Sequence, residues 1–257
     1  MPPTHTVDRA ELLAAFDAEL QPERFKDYGP NGLQVEGRAR IGSIVSGVTA
    51  SRALIEAAIE AGADAIFVHH GLFWRGQDGT VTGWMKQRLR LLLAHDINLF
   101  AYHLPLDAHP TLGNNAQLAR VLGLQATGRF GEQELGFIGG RADGGRFDSA
   151  EALAAHVGSA LNRPVVHVQP AQAAIEKIAW CTGGAQGYFE DAIAAGAQAF
   201  ITGEISEPQA HYARECGVAF LACGHHATER YGAPALAGHV AAQLGLAHRF
   251  IDIDNPG

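Results

Sequence analysis

Cysteine is scarce in this chain of 257 residues. There are three, Cys181, Cys216 and Cys223, an odd number with no pair at the short spacing of a thiolate metal site. A disulfide framework and a cysteine-based zinc site are therefore both excluded as organising features. Free thiols are typical of a reducing compartment, so the sequence predicts a cytoplasmic protein.

Long apolar runs and basic stretches are also missing. No run approaches the roughly 20 residues of a membrane span, and the opening "MPPTHTVDRAE" lacks the apolar core of a signal peptide. The net charge is -8, with 19 basic against 27 acidic residues and no basic stripe. We therefore expect neither a membrane partner nor a nucleic-acid site. Hydrophobic residues make up 47%, which is typical of a folded globular chain.

Short apolar strands alternate with helical patterns along the chain, which predicts an α/β fold with largely parallel pairing. A glycine-rich segment at 128–148 predicts a hairpin and a change of domain. We expect a first α/β domain over 1–125 and a second over 126–257, with 230–257 able to pack back on the first. The predicted strands are "IGSIVSGVTA", "DAIFVHH", "INLFAYHL", "PVVHVQ", "KIAWCTG", "AQAFITGE", "VAFLACG" and "HRFIDI".

The sequence contains an internal echo. "AIEAGADAIFVHHG" begins at Ala58 and "AIAAGAQAFITGE" begins at Ala192, with helix end, glycine and strand coinciding without a gap. Each is followed by a further helix and strand. The echo predicts two similar α/β halves, and halves that face each other would bring their strand ends together.

Histidine is abundant, with 13 residues, and several follow predicted strands. The carboxyl ends of strands in open α/β sheets are where sites form. Imidazole and carboxylate ligands suit Zn, Mn, Fe or Co, and more than three of them suit two ions bridged by a carboxylate. We expect the two adjacent histidines to point in opposite directions and Pro105 to prevent a normal helical turn. The residues at these strand ends are His69, His70, His103, Asp107, Gly203, Glu204, His225, His226 and Glu229.

Each piece also has an ordinary structural interpretation. A single histidine at a strand end is more often a hydrogen-bonded core residue. Asp107 could cap a turn, and Glu229 could favour a helix amino end. The joint occurrence at several strand ends favours a metal centre. For "PNGLQVEG" we favour a turn leading to an exposed strand, the alternative being a loop over the site with Asn31 and Gln34 as polar contacts.

Five motifs, in order, resemble those of the GTP cyclohydrolase 1 type 2 homologues, also called Nif-three-like or dinuclear-metal-centre hexameric proteins. They are "PNGLQVEG", "HHGLFW", "HLPLDAH" followed by "GNN", "ITGE" and "GHHATE". The resemblance covers about residues 8 to 254, at the length of the family's short form, which lacks an inserted domain. It implies a protomer of two interlinked α/β domains with the Nif-three-like fold, in a toroidal homohexamer with two divalent metal ions per protomer. The ligands it implies are His69, His70, Asp107, His225 and Glu229, with His103 beside the metals.

The resemblance implies a metal-dependent hydrolase of a small molecule. The family name suggests ring opening of GTP, but "GGAQGY" lacks the Lys-Ser/Thr ending of a phosphate-binding loop. Phosphoesters and cyclic amides are other possible substrates. His103 and Glu204 are the candidates for catalytic roles, each better suited to orienting a ligand than to transferring protons. The alternatives are a metal-handling or regulatory protein without turnover and a hexameric scaffold that metal only stabilises.

Overall fold

The computed structural model describes residues 5–168 and 174–257, and its contacts divide them into two compact units. The first unit comprises the described residues up to Gly113 together with Gly232–Asp254, and the second comprises Asn114–Tyr231 and Asn255–Gly257. The first four residues of the opening segment and the last residue of the predicted strand "PVVHVQ" lie outside the described residues.

The chain alternates short strands and helices, which confirms the α/β class. The strands are β1 (Val7–Asp8), β2 (Gly32–Val35), β3 (Arg40–Ile41), β4 (Ser43–Thr49), β5 (Ala65–His70), β6 (Asn98–Ala101), β7 (Leu124–Phe130), β8 (Gly136–Arg141), β9 (Val166–Val168), β10 (Ile178–Trp180), β11 (Ala199–Thr202), β12 (Ala219–Ala222) and β13 (Ala247–Phe250). The helices are α1 (Arg9–Leu20), α2 (Arg52–Glu60), α3 (Gly83–Ala94), α4 (Leu104–Ala108), α5 (Asn114–Val121), α6 (Ala150–Leu161), α7 (Phe189–Ala194), α8 (Glu207–Cys216), α9 (His225–Glu229) and α10 (Gly232–Leu244).

The first unit is built on a five-stranded sheet in the order β13-β4-β5-β6-β2. The first four strands pair in parallel, and β2 pairs antiparallel with β6. One core cluster joins α1, α10 and the sheet through fully buried rings that include Phe16, Phe67 and Phe100. A second cluster joins the sheet to α2 and α3. Since β5 is the central strand, its carboxyl end is framed by neighbours on both sides.

The second unit is built on a six-stranded sheet in the order β7-β8-β10-β11-β12-β9. Strands β10, β11 and β12 are parallel, and β7 and β8 form the hairpin expected from the glycine-rich segment. Helix α5 packs Leu118 into the same core as Leu124 and Trp180, so it belongs to this unit. The domain boundary that the sequence suggested at 125/126 falls inside β7, whereas the contacts separate the units after Gly113.

The two units share one order of elements around their parallel strands. The first unit runs β4-α2-β5-α3-β6-α4, and the second runs β10-α7-β11-α8-β12-α9. The sequence echo at Ala58 and Ala192 lies on the helix–strand pairs α2–β5 and α7–β11. In both units the third parallel strand is followed by a five-residue helix that carries a carboxylate.

In the part of the chain that the structure describes, none of the helices combines the length and the apolar character needed to cross a membrane.

Burial of His248 makes the stability of the first unit dependent on pH. Its Nε2 lies 2.8 Å from Ser46 Oγ, and burial lowers the pKa of the imidazole below its usual value. The folded chain then binds fewer protons than the unfolded chain below about pH 6.5. The stabilising contribution is complete above that pH and is lost as the pH falls through the pKa of the folded state.

We therefore expect the free energy of unfolding to fall less steeply between about pH 7 and pH 5 in His248→Asn than in the original chain. The measurement is a series of denaturant unfolding curves on metal-free protein at several pH values. Groups that both proteins share cancel in the comparison. Parallel pH profiles would show that His248 titrates as it does in the unfolded chain.

Candidate metal centre

The central strand of the first unit ends in His69 and His70. His69 is fully buried, and its Nδ1 lies 3.1 Å from the carbonyl oxygen of Tyr102 at the end of the neighbouring strand β6. His70 is half-buried, with its Nδ1 3.2 Å from Thr49 Oγ1 at the end of β4. A carbonyl only accepts, so Nδ1 of His69 carries the proton and Nε2 presents a lone pair. The parallel neighbours of β5 therefore orient both rings.

The two rings lie together, which differs from the sequence expectation of opposite directions. Their centroids are 4.4 Å apart, and the His103 ring lies 4.9 Å from that of His69. One nitrogen from each of these three histidines lies within 4.8 Å of the others. Alternation is a rule for the interior of a regular strand, and His70 is the last residue of β5. Three imidazoles thus converge within one unit.

Asp107 joins this group from helix α4. Its Oδ1 lies 3.5 Å from His69 Nε2, and its side chain is 10% exposed. The expectation that Pro105 prevents a helical turn is wrong. Pro105 lies in the first turn of α4, where its missing N–H needs no partner, and the Asp107 N–H donates to the His103 carbonyl at 3.2 Å. The turn brings the carboxylate back toward the histidines.

Asp27 is a functional candidate that the sequence did not reveal. Its carboxylate lies 2.7 Å from His103 Nδ1 and accepts from the Leu104 N–H at 2.9 Å and from Asn31 Nδ2 at 2.9 Å. Burial alone would raise the pKa of this carboxyl, but the hydrogen bond and charge of His103 outweigh it and hold the pKa below its usual value. Asp27 is therefore a carboxylate that fixes the His103 ring with Nε2 toward the other histidines.

The "PNGLQVEG" segment is not the turn and exposed strand that the sequence favoured. Strand β2 pairs with β6, and Gly32 and Val35 are buried. Asn31 Oδ1 accepts from the His103 N–H at 2.7 Å, and Gln34 Oε1 accepts from the Leu72 N–H at 2.8 Å. The alternative interpretation, in which Asn31 and Gln34 make polar contacts at the site, describes the segment better. These amides tie it to the chain on both sides of the histidine group.

The second unit brings together His225, Glu229 and Glu204. His225 and Glu229 lie one turn apart on α9, with Nε2 3.2 Å from Glu229 Oε2. Glu204 follows β11, and its Oε1 lies 2.6 Å from His225 Nδ1. Burial would lower the pKa of His225, but its hydrogen bonds and charge interactions with Glu229 and Glu204 outweigh burial and raise the pKa to about 9. Glu204 thus holds one ring nitrogen and leaves the other facing Glu229.

Gly183 leaves the space that this second group occupies. It follows β10, is buried and has φ +71°, and a Cβ there would overlap Glu229 Oε1 and lie 3.0 Å from His225 Nε2. Its N–H lies 3.0 Å from Thr228 Oγ1, and its carbonyl accepts from Thr202 Oγ1 at 3.1 Å. Only glycine fits this cradle without displacing the carboxylate.

The residues present fit divalent transition-metal ions. Within the first unit, His69 Nε2 and Asp107 Oδ1 both offer lone pairs to one small space, a contact that a cation makes favourable. Glu204 and Asp27 each hold the other nitrogen of a histidine, as partners of metal-bound imidazoles usually do. Burial raises the pKa of the Cys223 thiol to about 12, so this cysteine stays protonated. The donors are nitrogen and oxygen, which suit Zn, Mn, Fe or Co.

Comparisons with known proteins find similarity along nearly the whole chain. A family model described as Duf34/NIF3 (NGG1p interacting factor 3) matches residues 7–256. Proteins called "GTP cyclohydrolase 1 type 2 homolog" are similar over nearly the whole chain. The one from Neisseria meningitidis serogroup A is 52% identical over 96% of this chain and 98% of its own, and the one from Pseudomonas aeruginosa is 50% identical over 95% and 97%. The solved structure of ybgI, a protein of unknown function, is 44% identical, with TM-score 0.92, over 98% of this chain and 100% of its own.

Replacing Gly183 should weaken metal binding. In Gly183→Ala the new methyl displaces the Glu229 carboxylate, and we expect a loss of metal affinity of about ten-fold or more. The measurement is equilibrium dialysis against Zn²⁺ or Mn²⁺. Gly217→Ala is the matched control, because Gly217 has φ +68° but a Cβ there meets no atom within 4 Å. Equal losses in both variants would mean that backbone strain, and not the carboxylate, is responsible.

Asp27→Asn should weaken metal binding by about ten- to a hundred-fold, because the amide holds the His103 ring less firmly than a carboxylate does. The same dialysis experiment measures the loss. Asp64→Asn is the control, since Asp64 Oδ2 accepts from the Gly42 N–H at 2.8 Å and the Ser43 N–H at 3.0 Å in the same unit. If Asp27→Asn leaves the metal affinity unchanged, the Asp27 carboxylate does not contribute to metal binding.

Proposed function

Because this chain belongs to the Duf34/NIF3 family, we propose that it is a metal-dependent hydrolase of a small molecule. The proposed ligands of two divalent ions are His69, His70, Asp107, His225 and Glu229. This is the set implied by the sequence motifs, whose family resemblance the comparisons confirm. Support for the ligand set comes from the way each unit gathers and orients its own share of these side chains.

The observation that best supports hydrolysis is that the three histidines of the first unit differ in their exposure to solvent. His69 is fully buried, whereas the His103 side chain is 20% exposed and His70 is half-buried. A structural metal site is closed, whereas a catalytic one keeps a position open to water or substrate. When bound, the ions would supply Lewis acidity and a water activated near neutral pH. The group therefore suits catalysis better than a purely structural metal site.

His103 and Glu204 are proposed to act beside the ligands. Asp27 holds Nδ1 of His103, so the Nε2 atom of this ring faces the space next to His69 and His70. From there it can contact a metal ion beside the five proposed ligands, or orient the substrate. Glu204 is half exposed and holds Nδ1 of His225, so we assign it the orientation of that ligand.

The substrate class rests on the relatives. Their name, GTP cyclohydrolase 1 type 2 homolog, makes GTP one candidate, with phosphoesters and cyclic amides as the other classes to be assayed. The toroidal homohexamer and the cytoplasmic location stay predictions. Light scattering coupled to size-exclusion chromatography measures the number of protomers directly.

The test combines metal analysis with turnover. We expect about two metal ions per chain and hydrolysis of one substrate class, since two-ion sites are a common template for hydrolysis. His69→Ala and Glu229→Gln should each lower the metal content and abolish turnover. His211→Ala is the control, because this exposed histidine pairs with Glu207 at 2.9 Å and belongs to neither ligand group.

The outcomes separate the candidate functions. Two ions per chain without turnover on any substrate would favour the alternative of a metal-handling or regulatory scaffold. The metal centre itself would be contradicted if protein purified without chelators still bound no metal after incubation with each candidate ion. Turnover that survives both ligand variants would contradict the assigned residues.

A further inference from the structure

A basic cleft lies between α2 and α3 of the first unit. Its volume is about 530 Å³, within the range of small-molecule sites, which run from about 300 to 1,000 Å³. The lining residues are Arg52, Glu56, Gly83, Lys86, Gln87, Arg90 and Leu91. Three of them are cations and one is an acid, in a chain whose net charge is -8. The local charge is therefore opposite in sign to that of the whole chain.

The charges on α3 work against the helix that carries them. Lys86 and Arg90 are four residues apart, so they lie on one face of α3 and repel each other. Lys86 also lies near the amino end of the helix, where the helix dipole disfavours a cation. Helix α3 contains no Asp or Glu, and within residues 5–168 and 174–257 neither side chain pairs with a carboxylate. Both side chains are exposed, and their repulsion contributes nothing to the stability of the helix.

Arg52 completes the group from the opposite helix. Its Nε lies 2.6 Å from Glu56 Oε1, and its Nη1 lies 3.3 Å from Gln87 Oε1 on α3. These contacts hold the guanidinium at the cleft and neutralise its one acid, which leaves Lys86 and Arg90 as the charges available to a ligand. Guanidinium and ammonium groups together are the usual partners of phosphate oxygens.

We propose that this cleft binds a small anion with two or more phosphate groups. Two or more negative charges would relieve the repulsion between Lys86 and Arg90 and match the excess positive charge of the lining. Leu91 is the one apolar side chain in the lining, so recognition rests on charge and hydrogen bonds. The phosphates can belong to a nucleotide or to an inorganic polyphosphate. None of the residues that line the cleft is a proposed metal ligand.

The test is calorimetric titration of the metal-free full chain with tripolyphosphate and, separately, with ATP. Metal is removed first because polyphosphates chelate divalent ions. We expect saturable binding that weakens with salt, and a loss of about ten-fold or more in the double variant Lys86→Gln, Arg90→Gln, since charge-assisted contacts are the strong ones. Tighter binding of ATP than of tripolyphosphate would identify a nucleotide as the ligand, and equal binding would identify the phosphate chain alone.

The matched control is the double variant Arg120→Gln, Arg214→Gln. Both residues are exposed in the second unit, and the change in net charge is the same. Binding that persists in the control and is lost in the cleft variant supports the site. An equal loss of affinity in both variants would show that binding depends only on net charge. The absence of saturable binding to the unaltered chain would overturn the proposal.

Discussion

Parallel pairing of β5 with β4 and β6 is the constraint on which the histidine group depends. It aligns the ends of three strands, so Thr49 and the Tyr102 carbonyl lie within hydrogen-bonding distance of the His70 and His69 rings. Each contact selects the ring nitrogen that faces the space beside α4. A shift of one residue in the register would exchange the faces of the side chains and disperse the group.

Carboxylates in the surrounding loops fix the orientation of two further imidazole rings. Asp27 and Glu204 lie in loops, and each hydrogen-bonds the nitrogen of a histidine that faces away from the candidate ligands. Their distances of 2.7 and 2.6 Å are those of charge-assisted hydrogen bonds. The two units therefore use the same device, a loop carboxylate behind an imidazole. Preorganisation of this kind lowers the cost of ordering side chains when an ion binds.

The sequence predicts the strands and the residues at their ends, because both follow from local patterns. The five proposed ligands lie at the end of a strand or in the short helix that follows one: His69, His70, Asp107, His225 and Glu229. Asp27 and Gly183 could not be found in this way. Asp27 lies in an ordinary turn sequence 76 residues from His103, and Gly183 is one of 31 glycines. Their importance depends on tertiary contacts that no local pattern encodes. The rule that proline breaks helix interiors does not apply to Pro105, which lies in the first turn of α4.

The course of the chain has a consequence for its synthesis. Strand β13 and helix α10 belong to the first unit but are made after the whole of Asn114–Tyr231. On the ribosome, the sheet of the first unit therefore lacks its edge strand β13 until the end of synthesis. The core cluster around Phe16 likewise lacks the side chains of α10 until then. Nearly all of the second unit emerges before that happens, so it can fold while the first is incomplete. This reverses the usual order, in which the amino-terminal part of a nascent protein folds first.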